Sequence, residues 1–460
     1  MSIKFDQVYY TNLNEFVYGK AGKPVHCKNG MVIGGGTIYP EINFTLPPMQ
    51  ITEETFPKVK EQYREMIEGI CAKAHELNVP GLVVEIELLP PCTFNPQWGI
   101  EITKIVRDVM AEYEAKYNLK SVLRLTPVDI REGKNLTHMY RGEHWDNIMA
   151  TFLGGAEAGA DFLSIESIGG KNLHDDAVMN CDLPAALFAL GIIGVHDMKI
   201  LWQNIVKIAQ QTNSFPAGDT ACGFANTSMV LANKNFIPRV FAAVDRVMSA
   251  VRTMVAVEEG AVGPDKDCGY EGVYIKAITS TPISMEGKSA ACAHSSTVGN
   301  IAACVADLWS NESVENVRLL GGMAPVVSLE NLIYDCRLMN VAASRGQALE
   351  LRDMLAESDR KYDPQAYVLD PQIVLKISQE IVKGQSHFER IKIAAAASIK
   401  EIREAHKSGE LLLADREVRY LDIMEKQLSS IPDDEKEFTE RMLQTVPKDK
   451  FDPEKYEFVK

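Results

Sequence analysis

The strongest constraint in this chain is an order: amphipathic helical runs alternate with short β-rich runs through its middle. Residues 55–78 place Val59, Tyr63, Met66, Ile67 and Ile70 on one helical face. Pro80 and Gly81 end that helix, and GLVVEIEL follows as a buried strand. Residues 100–116 repeat the helical pattern and lead into the strand SVLRLTPVDI. WDNIMATFLGGAEAGA then precedes DFLSIES, and DMKILWQNIVKIAQQ precedes SFPAGDT. The helix NFIPRVFAAVDRVMSAVR is read as leading into a strand at MVAVEEG, with further strands at ISMEGKS and NVRLLGG. Helix-then-strand repetition implies a parallel sheet. About seven such units without a nucleotide fingerprint favour a closed (β/α)8 barrel, and an open doubly wound sheet is the alternative.

The barrel is expected over residues 51–340. Residues 1–50 are rich in Pro and Gly and are read as an irregular segment wrapping the surface. From 341 to 460 the chain is rich in Glu, Lys, Arg and Ala, without a clear strand. KIAAAASIKEIREAHKSGELLL and REVRYLDIMEKQLSSI are good helix formers, so this part is expected to pack as helices on the barrel.

Composition removes several function classes. The net charge is −15, which leaves no basic excess to neutralise phosphates, so nucleic acid is not expected as a partner. No run of about 18 uncharged apolar residues is evident, so no membrane span is expected. The first residues mix charges and aromatics and do not resemble a signal peptide, which points to the cytoplasm. The nine cysteines are then expected to be thiols, most of them small buried hydrophobes.

Familiar motifs fail. The glycines of residues 30–40 lack the GxGxxG spacing. Gly287, Lys288 and Ser289 look like the end of a P-loop, but the position five before Gly287 is Pro282. There is no CxxC, HExxH or GxSxG. A cysteine nucleophile with a histidine distant in sequence stays open.

Three segments put metal-competent side chains where a barrel keeps its active site. Glu166 ends the run Leu163–Ser164–Ile165 and precedes the Gly169–Gly170 turn. Cys222 lies in AGDTACG, after a short β run, and Cys268 lies in GPDKDCGYE. Each also has a plainer reading, as a helix-capping carboxylate or a buried structural thiol. Loops after successive barrel strands meet above one mouth. One carboxylate and two thiolates would suit zinc with a position left for substrate, whereas magnesium and calcium want oxygen ligands.

These segments, with PEINF, NPQWGIE, DIRE, IESIGGK, AGDTACGFANT, SMEGKSAACAHS, LWSNESVE, SDRKYDPQAY and FDPEKYEF, resemble the zinc-containing subunit of methanol:corrinoid methyltransferases over nearly the whole chain. The resemblance implies a (β/α)8 barrel and a zinc site formed by Glu166, Cys222 and Cys268. It implies methanol as substrate and a small corrinoid protein as partner, within a hetero-oligomer with a dimeric core. The implied reaction moves the methyl group of methanol to cobalt(I) of that corrinoid. Zinc would polarise the C–O bond, because hydroxide is a poor leaving group. His294 and Asp219 are the candidates for proton donor or for holding the ligands in place. Glu85, Glu87, Asp129 and Arg131 either shape the pocket or form structural ion pairs. Three alternatives stay open. The donor could be a methylthiol or a methoxy-aromatic compound, the enzyme could use Cys222 or Cys268 as a nucleophile without metal, or the chain could be a scaffold without chemistry.

Overall fold

The computed structural model describes the chain apart from residues 1–3, 45, 47–48, 132–135, 267, 314–317 and 459–460. A hairpin of β1 (Lys20–His26) and β2 (Val32–Gly35) comes first. Seven strands then build one parallel sheet: β3 (Tyr39–Phe44), β4 (Leu82–Glu87), β5 (Ser121–Thr126), β6 (Phe162–Ile165), β7 (Phe215–Asp219), β8 (Ser284–Glu286) and β9 (Leu308–Ser313). Their order is β7-β6-β5-β4-β3-β9-β8.

The helices between them form as the sequence periodicity demands. In Phe56–Glu76, Val59, Tyr63, Met66, Ile67 and Ile70 are all buried. The next long helix, Pro96–Tyr117, starts on a proline, whose missing N–H costs nothing there, and ends on left-handed Asn118. Full burial of each large apolar side chain contributes about 1.5–3 kcal/mol, so these faces fix the helices onto the sheet.

Several expectations need correction. The sheet has seven regular strands among the described residues, not a closed ring of eight. Between β7 and β8 runs an irregular segment, residues 262–265. Val262 and Gly263 donate backbone hydrogen bonds to Pro216 and Ala217 in β7, each at 2.8 Å. Asp265 N donates to Pro282 O at 2.9 Å and Asp265 O accepts from Ser284 N at 3.1 Å. Pro264 has no N–H to give and Gly263 sits at φ +89°, so the segment makes one isolated bridge, Asp265 to Ile283, in place of a ladder.

MVAVEEG is not a strand. Arg239–Glu259 is one helix that stops at Gly260. It is buried on nearly every side, between the helices Val195–Thr212 and His387–Ser408, so the short apolar run MVAV at its end looks like a buried strand. The described part of NVRLLGG forms a small hairpin of β10 (Arg318–Leu319) and β11 (Gly322–Met323), while Asn316 and Val317 lie outside the described residues. Two strands of the sheet come from segments not read as strands. LWSNES became β9 although Ser310, Asn311 and Ser313 are polar, because all three are buried. YPEINF, within the first fifty residues, became β3 with Pro40 and Glu41 inside the sheet. Within the sheet Glu41 meets Arg124 of β5 at 2.7 Å, and Arg124 also donates to Ser164 Oγ and Pro264 O.

Leu183–Thr212 is a 30-residue helical stretch long and apolar enough to cross a membrane by length and composition, although Asp197 and Lys199 interrupt it. Its apolar window is 78% buried within the protein, so that apolarity is used in the core. After Met323 the described chain is helical, ending with Asp415–Ser429, Glu435–Thr445 and an irregular terminal stretch.

Candidate metal centre

Every strand of a parallel barrel-like sheet delivers its following loop to the same end, and the three ligand candidates meet there. Glu166 directly follows β6 and bridges Val128. Its loop is fixed from three sides. Ser167 N donates to Asp219 Oδ1 at 3.3 Å, Ile168 N to Asp129 Oδ2 at 3.0 Å, and Gly170 N to the hydroxyl of Tyr456 at 3.0 Å. Arg252 Nη2 donates to both Ser167 O (2.8 Å) and Ser167 Oγ (2.5 Å). The Gly-Gly turn is required locally: a Cβ on Gly169 would lie 2.2 Å from Asp197 Oδ2, and Gly170 sits at φ +89°.

Cys222 opens the helix Cys222–Asn233 after β7, and its sulfur accepts a hydrogen bond from Asn226 Nδ2 at 3.2 Å. Cys268 lies in a turn where both it and Tyr270 hold positive φ, 60° and 63°. Such angles are uncommon for side chains of this size and persist where the surroundings enforce them. Here Gly269 N donates to Thr220 Oγ1 at 3.2 Å. Glu271 accepts from Ala221 N at 2.5 Å and from Thr253 Oγ1 at 2.8 Å. The Cys222 and Cys268 loops are thereby tied to each other.

A Glu166 carboxylate oxygen and the sulfurs of Cys222 and Cys268 all lie within 4.8 Å of one another. Both cysteines are buried, whereas the Glu166 side chain is 34% exposed, so the group opens on the carboxylate side. The expectation that all cysteines are thiols fails for this pair, which is joined in a disulfide with an S–S distance of 2.02 Å. The physical reason is that the tied loops hold their Cα atoms 5.5 Å apart, within ordinary disulfide reach. Cys27, Cys71, Cys92, Cys181, Cys292, Cys304 and Cys336 are free. Reduced, the pair offers two thiolates beside one carboxylate, a soft donor set that fits zinc and not a hard cation.

Asp219 is fully buried at the end of β7. Its oxygens accept from Ser167 N, Thr220 N (2.9 Å) and Trp202 Nε1 (2.8 Å), and Arg252 Nη1 stands 3.7 Å away. Burial pushes its carboxyl up to about 6, against the opposing pull of Arg252. With both oxygens so engaged, it serves as a bracket between the Glu166 and Cys222 loops. His294 is held elsewhere at the same end. Its Nδ1 lies 3.0 Å from Glu286 Oε1 and its Nε2 lies 2.9 Å from Glu312 Oε2. The facing carboxylates of Glu286 and Glu312 push the ring up to about 11, so it is an imidazolium near neutrality. Glu286, His294 and Glu312 also lie close enough together to bind a cation. Each ring nitrogen, however, already faces a different carboxylate, which is the pattern of an ion-paired imidazolium.

Arg131 binds Asp129 (2.7 and 2.9 Å) and Asp197 (2.8 and 3.1 Å), fully buried, and so supports the Glu166 loop through Asp129. Glu85 and Glu87 converge on Lys266. Sequence reasoning missed Lys266, Arg252, Glu271 and Asn226. For Lys266 a signal existed, a lone cation two residues before a candidate ligand in a loop of small residues. Asn226 and Glu271 lie inside AGDTACGFANT and GPDKDCGYE but were given no role, and Arg252 sits in a helix where nothing local marks it.

Residues 2–457 match the methanol-cobalamin methyltransferase B subunit family, MtaB. A methanol–corrinoid protein co-methyltransferase of Methanosarcina barkeri is 37% identical over 99% of both chains. The crystal structure of the methanol:cobalamin methyltransferase complex MtaBC from Methanosarcina barkeri contains a chain that superposes with a TM-score of 0.93, at 37% identity and 99% coverage of each. A full-length match in sequence and in fold, with the donor cluster at the strand ends, means that this chain belongs to the methanol-cobalamin methyltransferase B subunit family.

Proposed function

We propose that the protein is a methanol:corrinoid protein Co-methyltransferase that takes the methyl group of methanol and passes it to a corrinoid carried by a partner protein. The observation that carries this reading is the convergence of Glu166, Cys222 and Cys268 within 4.8 Å in a full-length family member. These three residues would hold zinc. When bound, zinc supplies Lewis acidity to an alcohol oxygen, easing departure of hydroxide. We read the sheet as a barrel closed by the segment 262–265, which gives the ligands a common mouth.

The chain's own residues supply position and charge. Asp219, Arg252 and Asp129 hold the Glu166 loop so that the carboxylate presents one geometry. Glu271 and Thr220 keep the cysteine loops together. Departing hydroxide takes up a proton, and His294, protonated between Glu286 and Glu312, stores one at this end of the molecule. The partner would dock over the same mouth within a hetero-oligomer built on a dimeric core. The test is to mix the anaerobically reduced protein with a cobalt(I) corrinoid protein and methanol, and to follow cobalt methylation in the visible spectrum. Methylation that depends on methanol and stops with a zinc chelator supports the reading. Methylation from a methylthiol or a methoxy-aromatic donor, with none from methanol, would replace it.

A further inference from the structure

The Lys266 side chain is 1% exposed, and its ammonium faces three carboxylates at once. Nζ lies 3.1 Å from Glu85 Oε1, 2.8 Å from Glu87 Oε1 and 3.3 Å from Glu166 Oε1. A buried ammonium needs carboxylate partners, but one or two would neutralise it. The first two are themselves anchored. Thr126 Oγ1 donates to Glu85 Oε1 at 2.5 Å and Asn43 Nδ2 donates to Glu87 Oε1 at 2.9 Å. Strands β3, β4 and β5 therefore fix the ammonium on one side, and the backbone of 262–265 fixes it on the other. The third contact is to the carboxylate that stands with the two sulfurs. One short loop thus carries a sulfur donor, Cys268, and the group that grips the oxygen donor.

We propose that Lys266 is a positioning residue for the metal centre: by gripping the Glu166 carboxylate it holds that group beside the two sulfurs. This rests on the metal-centre reading above. A residue that orients a ligand governs how tightly the ion is held and how the ligand field is arranged, separately from the chemical step. A lysine that only balances charge in the fold would leave both unchanged.

The experiment measures zinc affinity by competition with a chromophoric chelator on reduced full-length protein, alongside the visible spectrum of the cobalt(II)-substituted form. Wild type, Lys266→Met, Lys266→Gln, Lys266→Arg and Cys222→Ala are compared, with folding checked by circular dichroism. The two neutral variants should fold, bind zinc about tenfold or more weakly and shift the cobalt bands, while Lys266→Arg restores affinity to within about threefold of wild type. A folded neutral variant with wild-type zinc affinity and an unchanged cobalt spectrum overturns the proposal. So does failure of both neutral variants to fold, since Lys266 would then be a structural ion-pair member. If wild type binds no zinc, or Cys222→Ala binds as well as wild type, the reading of the centre itself fails, a different outcome from loss of the lysine's role alone.

Discussion

Replacing Cys222 or Cys268 by alanine removes a sulfur that the surrounding loops are built to present, and the two changes should act alike. Each should weaken zinc binding by more than the roughly 10–100-fold typical of residues that only orient a ligand. Cys71 and Cys304 are buried and lie outside the cluster. Their alanine variants should cost about 1–3 kcal/mol of stability and keep the metal. Glu166→Gln separates charge from shape. The amide keeps the size and one oxygen but not the negative charge, so this variant should retain more zinc than either cysteine variant and still lose most methyl transfer. Zinc content and cobalt methylation on the same preparations check all five. Near wild-type turnover in Glu166→Gln would remove Glu166 from the ligand set. At this scale the candidate ligands were legible because Glu166 and Cys222 each follow a β run, whereas Cys268 follows MVAVEEG, read as a strand but in fact the end of a helix. Their supports were not. Arg252 reaches Ser167 across 85 positions, and no local pattern encodes such a pair.

The turn after Glu166 carries a sharp element-scale expectation. In Gly169→Ala the new Cβ would meet Asp197, which Arg131 holds rigidly, so the clamp must shift. The variant should lose about 1–3 kcal/mol of stability, read as a lower thermal midpoint, and also weaken zinc binding through Ile168 and Ser167. A melt and metal affinity equal to wild type would contradict this. A second expectation concerns His174, fully buried, whose Nε2 lies 2.8 Å from Asp245. Burial opposes its charge, but Asp245 and Asp175 outweigh it and carry the pKa up to about 9, from an ordinary 6.5. A folded pKa raised this way gives stability that is complete below about pH 6.5 and lost as pH rises through about 9. The contribution is about 3 kcal/mol. Denaturant unfolding of wild type and His174→Gln at pH 6 and 9.5 checks it: the variant should be less stable at pH 6 and lack that alkaline loss. Equal slopes in both proteins would contradict it.

At the scale of the whole molecule, strands β4 to β8 could be read from sequence because Leu, Val and Ile dominate them or a turn signal frames them. Strands β3 and β9 could not, since Glu41, Ser310 and Asn311 are polar although buried. A parallel sheet that encloses its own polar network departs from the apolar rule for buried strands. MVAVEEG failed for the opposite reason, a helix so enclosed that it reads as a buried strand. The C-terminal stretch reaches back to the site: Tyr456 binds Gly170, and its carbonyl accepts from His196 at 2.9 Å. Gel filtration of the protein mixed with a corrinoid protein should show a complex that neither forms alone, and methyl transfer with free cobalamin should be slower. Equal rates with and without the corrinoid protein would argue against a dedicated docking surface.

The most direct measurement joins metal to chemistry in one sample. Protein purified under reducing, anaerobic conditions is assayed for zinc and then for methanol-dependent methylation of a cobalt(I) corrinoid protein, before and after chelation and after zinc is returned. The expected result is about one zinc per chain, activity lost on chelation and recovered with zinc. Full activity in a sample free of zinc and of any other transition metal would contradict the assignment of Glu166, Cys222 and Cys268 as a catalytic metal centre.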